Sequence, residues 1–347
     1  MEHEIRKGIS SSSSRRRPFL RGGIPLMWSF LLSFIIMGSP GLSQEVYAQA
    51  YPIRPVNMLI SFAPGAATDI GARLIAKEAE KFLGQEIVPV NKPGGGGAVT
   101  AGILASSKAD GHTIMANVSS ALTNAPHLES VNYDPVKDFS FIYQYGNLIS
   151  IYVVRSDSPF KSFKEFIEFG RKNPGKLSIG TPGVGTSPHL AMELLKLREK
   201  IDIATIPFGG SAPALTALLG GHVSAVGTST PSAVPHLKAA KMRALAITGE
   251  TRNEATQDVP TLKELGYPYG VFIEVFFIAA PKGTPPAIVG KLEEAFRKGA
   301  EASEYRTKMR NLYMYPEQPL HGDKLKEFVE QEHARCGEII RGAQLGK

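Results

Sequence analysis

Hydroxyl-bearing residues in small-residue loops are the groups in this 347-residue chain whose types and spacing can do chemistry. Thr181, Thr186, Ser187 and Ser211 all lie in such loops, close before predicted helices. The start of a helix presents unpaired backbone N–H groups and the positive end of its dipole, and small residues let an anion approach them closely. These loops therefore predict a site that binds an oxyanion through main-chain amides and hydroxyls.

The kind of anion is narrowed by what the loops lack. None of them ends in the Gly-Lys-Ser/Thr of a nucleotide P-loop. The glycines at 94–97 and 183–185 do not complete the Gly-x-Gly-x-x-Gly dinucleotide fingerprint in its proper context. A carboxylate fits the loops at least as well as a phosphate, and the residues alone leave both open.

Catalysis has little support in the sequence. The chain contains no Gly-x-Ser-x-Gly, no His-Glu-x-x-His and no Cys/His cluster at metal-ligand spacing. Ser187 precedes His189 by two residues, and side chains at that spacing on a helix point away from each other. The single cysteine, Cys336, is predicted to be a partly buried helix residue. We expect no catalytic residue, cofactor or metal, and an enzyme such as a hydrolase on an α/β scaffold is the least favoured alternative.

The elements that must position the loops recur as strand, small-residue loop and helix. Strands are predicted at 56–62, 86–90, 177–180 and from Ala204, and the helices that follow them at 69–82, 98–107, 188–199 and 213–219. Further strands are predicted at 223–227 and 243–248. This alternation predicts α/β sheets with helices on both faces. Ligands in such sheets bind beyond the carboxyl ends of the strands, where the loops lie.

The first 50 residues have the order of an export signal. A basic segment at 15–21 (RRRPFLR) precedes an uncharged run at 24–37, and small residues Ala48 and Ala50 end the segment. Residues 16–21 resemble a twin-arginine signal. The apolar run is shorter than the roughly 20 residues of a membrane-spanning helix. We predict a signal peptide at 1–50, cleaved on export to the periplasm by the twin-arginine route.

Charge and cysteine content restrict the partners of residues 51–347 and the way in which these residues are stabilised. The net charge of +7 includes +3 from residues 1–50, which leaves +4 on residues 51–347. This charge is scattered, with no basic stripe, so we expect no nucleic-acid partner. One cysteine cannot form an internal disulfide, so an exported chain depends on core burial for stability. Residues 51–347 are long enough to form two domains.

Short motifs in a fixed order resemble the Bug family, the extracytoplasmic solute-binding proteins of tripartite tricarboxylate transporters. Each motif alone is a weak signal of the family, but the motifs keep the family's order and spacing across almost all of residues 51–347. The clearest are 51–55 (YPIRP), 62–69 (FAPGAATD), 91–97 (NKPGGGG), 109–113 (ADGHT), 218–223 (LLGGHV), 258–261 (DVPT) and 280–285 (APKGTP).

The resemblance implies a two-domain periplasmic-binding-protein fold that closes on its ligand like a clamshell, each domain a mostly parallel sheet flanked by helices. We place domain 1 at 51–152 plus 278–347 and domain 2 at 153–277, with hinge segments near 151–155 and 275–279. The implied function is capture of a small carboxylate by a monomer, which delivers it to the membrane components of a tripartite tricarboxylate-type transporter. A ligand sensor that presents its closed form to a membrane receptor kinase is the alternative.

The resemblance also implies that main-chain amides and bridging waters hold the ligand carboxylate. The loop after the first strand would be a main grip, contributed by Phe62, Pro64, Gly65, Ala66, Ala67 and Asp69. The second domain would contribute Thr181, Gly183, Val184, Gly185, Thr186 and Ser187, with Phe208 and Gly209 nearby. Ser119 and Ser120, after another strand, would add contacts. Asp69 has a second interpretation, as the N-cap of the helix that follows it.

Three departures from the family pattern bear on ligand choice. Ala66 and Ala67 stand where the family usually has two glycines, and Phe208 and Gly209 stand where it usually has Tyr-Lys. Ser224 occupies a position where an aspartate is common. The loss of that acid suggests the hypothesis that the ligand has no ammonium group, and the identity of the carboxylate stays open.

Overall fold

The computed structural model describes residues 51–252 and 256–346, so the signal peptide predicted at 1–50 lies outside the described residues. The strands are β1 Val56–Ile60, β2 Ile87–Asn91, β3 Thr113–Val118, β4 Phe139–Arg155, β5 Ser178–Thr181, β6 Ala204–Pro207, β7 Ala225–Ser229, β8 Met242–Ile247 and β9 Ile273–Pro281. The α-helices are α1 Ala67–Leu83, α2 Ala98–Ala105, α3 Ser120–Thr123, α4 Ala125–Leu128, α5 Phe163–Lys172, α6 Ser187–Glu199, α7 Ser211–Leu219, α8 Thr230–Lys238, α9 Pro286–Ala300, α10 Ser303–Asn311 and α11 Gly322–Gly342.

The predicted strand, loop and helix units are all present, and their boundaries lie within two residues of those expected. Helix α1 ends as its sequence indicates, because Gly84 adopts the left-handed conformation with φ of 77°. Its N–H donates to the carbonyl of Glu80, which closes the last turn. Local sequence therefore determines these units.

The strands form one sheet in the order β2-β1-β3-β9-β4-β7-β5-β6, with β8 beside β4. Strand β1 pairs in parallel with β2 and β3, and β5 pairs in parallel with β6 and β7. Strands β4 and β9 run antiparallel to each other and to their other neighbours. The predicted α/β class is confirmed, and the antiparallel centre of the sheet is an addition to it.

Strand β4 passes through both halves of the sheet. Residues 139–149 pair with β9, whereas from Ser150 onward the strand pairs with β7 and β8. We call β2, β1, β3, β9 and the start of β4 the first half, and the end of β4 with β5 to β8 the second half. The change of partner at Ile149 and Ser150 lies close to the predicted domain boundary at 152, and the boundaries of the two domains stay a prediction.

Each half buries apolar side chains on both faces of its sheet. In the first half Met58 and Ile60 belong to one core cluster, whereas Leu59 belongs to another. In the second half Val154 and Val153 are divided between clusters in the same way. Successive residues of a strand point to opposite faces, so each half has helices on both faces, as the sequence predicts.

Helix α11 packs against both halves. Leu325 and Val329, near its start, lie in a cluster of the first half. Cys336, Ile339 and Ile340, near its end, lie in a cluster of the second half. None of the helices within 51–252 and 256–346 is long and apolar enough to cross a membrane.

Candidate ligand-binding site

A cavity of about 590 Å³ lies where the carboxyl ends of β1, β3, β5 and β7 meet the residues that follow them. Small-molecule sites typically occupy about 300–1,000 Å³, and open α/β sheets bind ligands at this edge. Both halves of the sheet form its walls, with Phe62 and Ala66 from the first and Thr186 and Ser187 from the second. The cavity is therefore the candidate site.

The wall in the first half is the first loop, residues 61–66, and the first turn of α1. Asp69 holds this loop from behind. Its Oδ2 accepts a hydrogen bond from the Gly65 N–H at 2.9 Å, and its Oδ1 accepts from Asn91 Nδ2 and Arg73 Nε, each at 2.8 Å. Asn91 Nδ2 also donates to the carbonyl of Phe62 at 2.8 Å.

Asp69 is a charged anchor. Burial acts to raise its pKa, but the hydrogen bonds from Asn91, Gly65 and Arg73 outweigh burial and hold the pKa below its usual value. The N-cap role predicted for Asp69 is wrong, because α1 begins at Ala67 with Ala66 as its N-cap. Asp69 lies within the first turn and reaches back to the loop instead.

The wall in the second half is the second loop, residues 182–186, and the first turn of α6. The Gly185 N–H donates to His189 Nδ1 at 3.2 Å, and Thr186 Oγ1 donates to the carbonyl of Gly183 at 2.8 Å. Burial lowers the pKa of His189, which favours the neutral ring that can accept at Nδ1. His189 thus has the structural role of holding the loop.

The second loop also contacts the first half of the sheet directly. Asn124 Nδ2 donates to the carbonyl of Gly185 at 2.6 Å. Gly185 has φ of 74°, and a Cβ built on it would lie 2.3 Å from Leu128 Cδ1. Only glycine combines this backbone conformation with such close approach. The loop is therefore fitted against α3 and α4.

The predicted site residues divide into two groups by position. Eight line the cavity: Phe62, Ala66, Ala67, Ser120, Val184, Gly185, Thr186 and Ser187. Ser211, identified from its hydroxyl, lines it as well. The other eight are not among the lining residues: Pro64, Gly65, Asp69, Ser119, Thr181, Gly183, Phe208 and Gly209. As ligand contacts, all of them stay predictions.

Several residues of the second group have defined structural roles. The Gly65 amide is engaged by Asp69, so it serves the loop. Thr181 is fully buried, and the carbonyl at this end of β5 accepts from the Phe208 N–H at 2.8 Å. A Cβ on Gly180 would lie 3.0 Å from the Phe208 ring, which therefore covers the end of β5. Ser119 binds Val275 and Glu274.

Glu274 of β9 is a cavity residue that sequence reasoning missed. Its Oε1 accepts from the Ser120 N–H at 2.8 Å and from Ser119 Oγ at 3.4 Å. Its Oε2 accepts from Ser187 Oγ at 2.9 Å, so one carboxylate joins the starts of α3 and α6. A glutamate inside the otherwise apolar run of β9, residues 273–281, was the available signal.

Other missed residues supply the apolar walls and further polar groups. They come from α4 and the residues on either side of it, from β4, from the end of β7 and from β9: Asn124, Ala125, Leu128, Glu129, Leu148, Ser150, Ser229 and Phe276. Most were missed because these elements approach the cavity only in three dimensions. None of the described residues that line the cavity is lysine, arginine or histidine.

The three departures from the family pattern differ in their distance from the cavity. Ala66 and Ala67 line it, whereas Phe208 and Gly209 do not. Ser224 exchanges hydrogen bonds with Ser178, its Oγ accepting from the Ser178 N–H at 3.2 Å, and is also not a lining residue. The absence of an acid at Ser224 therefore leaves the cavity walls unchanged.

Two polar side chains of α6 near the cavity, Ser187 and His189, are engaged with separate partners. Ser187 Oγ donates to Glu274, and His189 Nδ1 accepts from Gly185, so these two side chains do not pair with each other. Burial raises the pKa of Cys336 to about 12, which keeps it a thiol rather than the nucleophilic thiolate. Among the residues that the structure describes, no group of three or more His, Cys, Asp or Glu can hold a metal ion.

Sequence relatives cover nearly the whole chain. The profile of the TctC family, described as the tripartite tricarboxylate transporter family receptor, matches residues 71–345. The UPF0065 protein in the gbd 5′ region of Cupriavidus necator is 38% identical over 311 residues, which are 90% of this chain and 94% of that protein. Protein BugT of Bordetella pertussis is 32% identical over 317 residues, 90% of this chain and 96% of its own.

Solved structures show the same architecture. MatC from Rhodopseudomonas palustris, with bound malate, superposes with a TM-score of 0.69 at 32% identity and covers 84% of this chain and 100% of its own. An R. palustris protein solved with adipate gives a TM-score of 0.72 at 29% identity and covers 85% of this chain and 98% of its own. The chain belongs to the TctC family of tripartite tricarboxylate transporter receptors, which includes the Bug proteins, and it has their two-domain periplasmic-binding-protein fold.

Proposed function

We propose that residues 51–347 capture a small carboxylate in the 590 Å³ cavity and deliver it to the membrane components of a tripartite tricarboxylate-type transporter. The observation that carries this function is that two helix starts from different halves, residues 66–68 of α1 and 186–188 of α6, line the same cavity. Helix starts attract anions through free N–H groups and the helix dipole. Malate and adipate, the ligands of two similar proteins, are both carboxylates.

The apolar walls fit a solute with a hydrocarbon body. Phe62, Leu148 and Phe276 line the cavity beside the polar helix starts. Ligand sites of this composition bury the body of the ligand against apolar side chains, and a few polar groups fix its orientation. We expect a carboxylate with an aliphatic or aromatic body.

Capture would proceed by closure of two domains, 51–152 plus 278–347 and 153–277. Strands β4 and β9 are the connections that would bend, near 151–155 and 275–279. A ligand that contacts both domains only in the closed form shifts the population toward that form. The bond from Asn124 to Gly185, which joins the two halves beside the cavity, is of the kind that closure would make.

Export to the periplasm, the action as a monomer and the absence of catalysis belong to the same proposal. The order of basic, apolar and small residues in 1–50 supports export by the twin-arginine route. The engagement of Ser187 and His189 with other partners supports binding without turnover.

A thermal-shift screen of residues 51–347 against dicarboxylates, tricarboxylates, aromatic acids, nicotinate and amino acids tests this function. A ligand at 100 times its Kd adds about 2.7 kcal/mol to the free energy of unfolding. We expect one class to raise the Tm, and product analysis of the hit to show no turnover. Failure of every carboxylate to raise the Tm would contradict the proposal. The screen needs a dye or calorimetry, because the one tryptophan, Trp28, precedes residue 51.

A further inference from the structure

Glu274 places a carboxylate inside a cavity that we propose binds carboxylates. It lies on β9 between Ile273 and Val275 and lines the cavity together with Phe276. It is half-buried. Removing a charged group from water costs free energy unless the group is paired or hydrogen-bonded, so its partners determine its role.

The hydrogen-bond partners of Glu274 are neutral, and they leave its carboxylate able to accept a further hydrogen bond. The Ser120 N–H, Ser119 Oγ and Ser187 Oγ donate to its two oxygens. A carboxylate has about four acceptor positions, so about one position on Oε2 is free for a further donor. None of the three partners neutralises the negative charge.

The cavity supplies no cation to balance Glu274. Its described lining residues include a second acid, the exposed Glu129, and no lysine, arginine or histidine. Charges interact more strongly in a partly enclosed, apolar-walled site than in bulk water. A ligand group near Glu274 is therefore stabilised if it is a cationic donor and destabilised if it is another carboxylate.

We propose that Glu274 makes this receptor select a carboxylate that also carries an ammonium group, that is, an amino acid, and reject the dicarboxylate of the same shape. One end of the ligand would occupy the helix starts and the ammonium would pair with Oε2. This selectivity rests on the carboxylate capture proposed above. It reverses the hypothesis drawn from Ser224, because the acid that faces the ligand is supplied by β9.

Matched ligand pairs test the selectivity by calorimetry on folded residues 51–347. Each pair exchanges ammonium for carboxylate on one skeleton: β-alanine and succinate, 4-aminobutyrate and glutarate, 5-aminopentanoate and adipate, leucine and isobutylmalonate. We expect the tightest amino acid to bind about 10- to 100-fold more tightly than its dicarboxylate partner, the value of a charged hydrogen bond. Glu274→Gln should lower this preference at least about tenfold, because the shape is kept and the charge is lost.

The control is Glu338→Gln, which makes the same charge change at an exposed residue of α11. It should keep the wild-type preference. Tighter binding of a dicarboxylate than of its amino acid partner by the wild type overturns the role of Glu274, even if the Glu274 variant does not fold. An unchanged preference in folded Glu274→Gln overturns it too. If neither member of any pair binds and the wider screen also fails, carboxylate capture itself fails.

Discussion

The two loops that face each other across the cavity are held by different chemistry. The first loop is fixed from within its own half by a charged network of Asp69, Asn91 and Arg73. The second loop is fixed by neutral groups, the His189 ring and the Asn124 amide. Asn124 belongs to the opposite half of the sheet, so part of the second loop's support depends on the two halves being together.

This difference suggests that the two loops respond differently to closure. The first loop would be a preformed wall, and the second loop a responsive wall that depends on the two halves meeting. A charged network within one half keeps its geometry whether or not the halves are close. A neutral amide that reaches between the halves stabilises only the arrangement in which they meet. We therefore expect changes in the first loop to alter folding stability, and changes in the second loop to alter ligand affinity.

The largest effect should come from Gly185→Leu compared with Gly65→Leu. Both glycines have positive φ, 74° and 84°, but a Cβ meets Leu128 at 2.3 Å only at Gly185. Overpacking there costs about 1–3 kcal/mol, so we expect a loss of affinity of about 10- to 100-fold. Gly65→Leu should cost about 1–3 kcal/mol of stability through backbone strain and leave affinity within about twofold. Calorimetric titration and thermal unfolding of both variants separate the effects, and equal losses of affinity would remove the contrast.

The next largest effect should come from Asp69→Asn, which removes the charge that holds the first loop. A hydrogen bond to a charged group contributes about 1.5–3 kcal/mol, so we expect a loss near 2 kcal/mol in the free energy of unfolding at neutral pH. The folded pKa of Asp69 is lowered, so its contribution is present above the unfolded value of about 4 and is lost as pH falls toward the folded pKa. Denaturant unfolding at pH 7 and at about pH 3 should show the gap to wild type shrinking. A gap that stays constant with pH would exclude the charged anchor.

Asn124→Ala and Asn91→Ala form a matched pair, because each asparagine donates to a carbonyl of one loop, Gly185 and Phe62 respectively. Asn124→Ala removes one hydrogen bond to its loop, worth about 1 kcal/mol, whereas Asn91→Ala also removes the bonds that Asn91 makes with Asp69 and Arg73. We expect Asn124→Ala to reduce affinity about fivefold with little change in the Tm of the ligand-free protein. Asn91→Ala should lower that Tm by a few degrees. The reverse pattern would show that the second loop, not the first, is the preformed wall.

The smallest effect should be a pH dependence from His189. Burial lowers its folded pKa below the unfolded value of about 6.5, so the unfolded chain takes up the proton first as pH falls. Its stability contribution is intact above about pH 6.5 and decreases as the pH falls from there toward the folded pKa. His189→Gln should flatten the stability profile between about pH 6.5 and 5. His222→Gln, at an exposed histidine, is the control and should retain the wild-type profile.

Sequence patterns predicted the local units of this fold well, because each depends on neighbouring residues. Helix α1 with its Gly84 cap and helix α6 after the Thr181 strand are examples. The pattern gave no indication that β4 is a 17-residue strand that changes partners midway. Such a strand is defined by residues distant in the chain, and local periodicity does not contain that information.

The site was predictable to the same extent. Small residues before a helix indicate a loop that can accept an anion, and this pattern predicted Thr186 and Ser187, whereas Ala66 was predicted from the resemblance to the Bug family. All three line the cavity. Glu274 escaped because one acid in an apolar strand resembles a solvent-facing position, and its three donors lie far away in sequence. The N-cap role predicted for Asp69 is wrong, since the exact start of α1 decides which residue is the cap, and its role as a ligand contact stays a prediction.

Isothermal titration of residues 51–347 with the best ligand from the carboxylate screen, for wild type and Gly185→Leu, tests carboxylate capture in this cavity most directly. We predict one ligand per chain for the wild type and an affinity at least about tenfold weaker for folded Gly185→Leu. Wild-type affinity in the folded variant, or no heat from any carboxylate with wild type, would contradict carboxylate capture at this site.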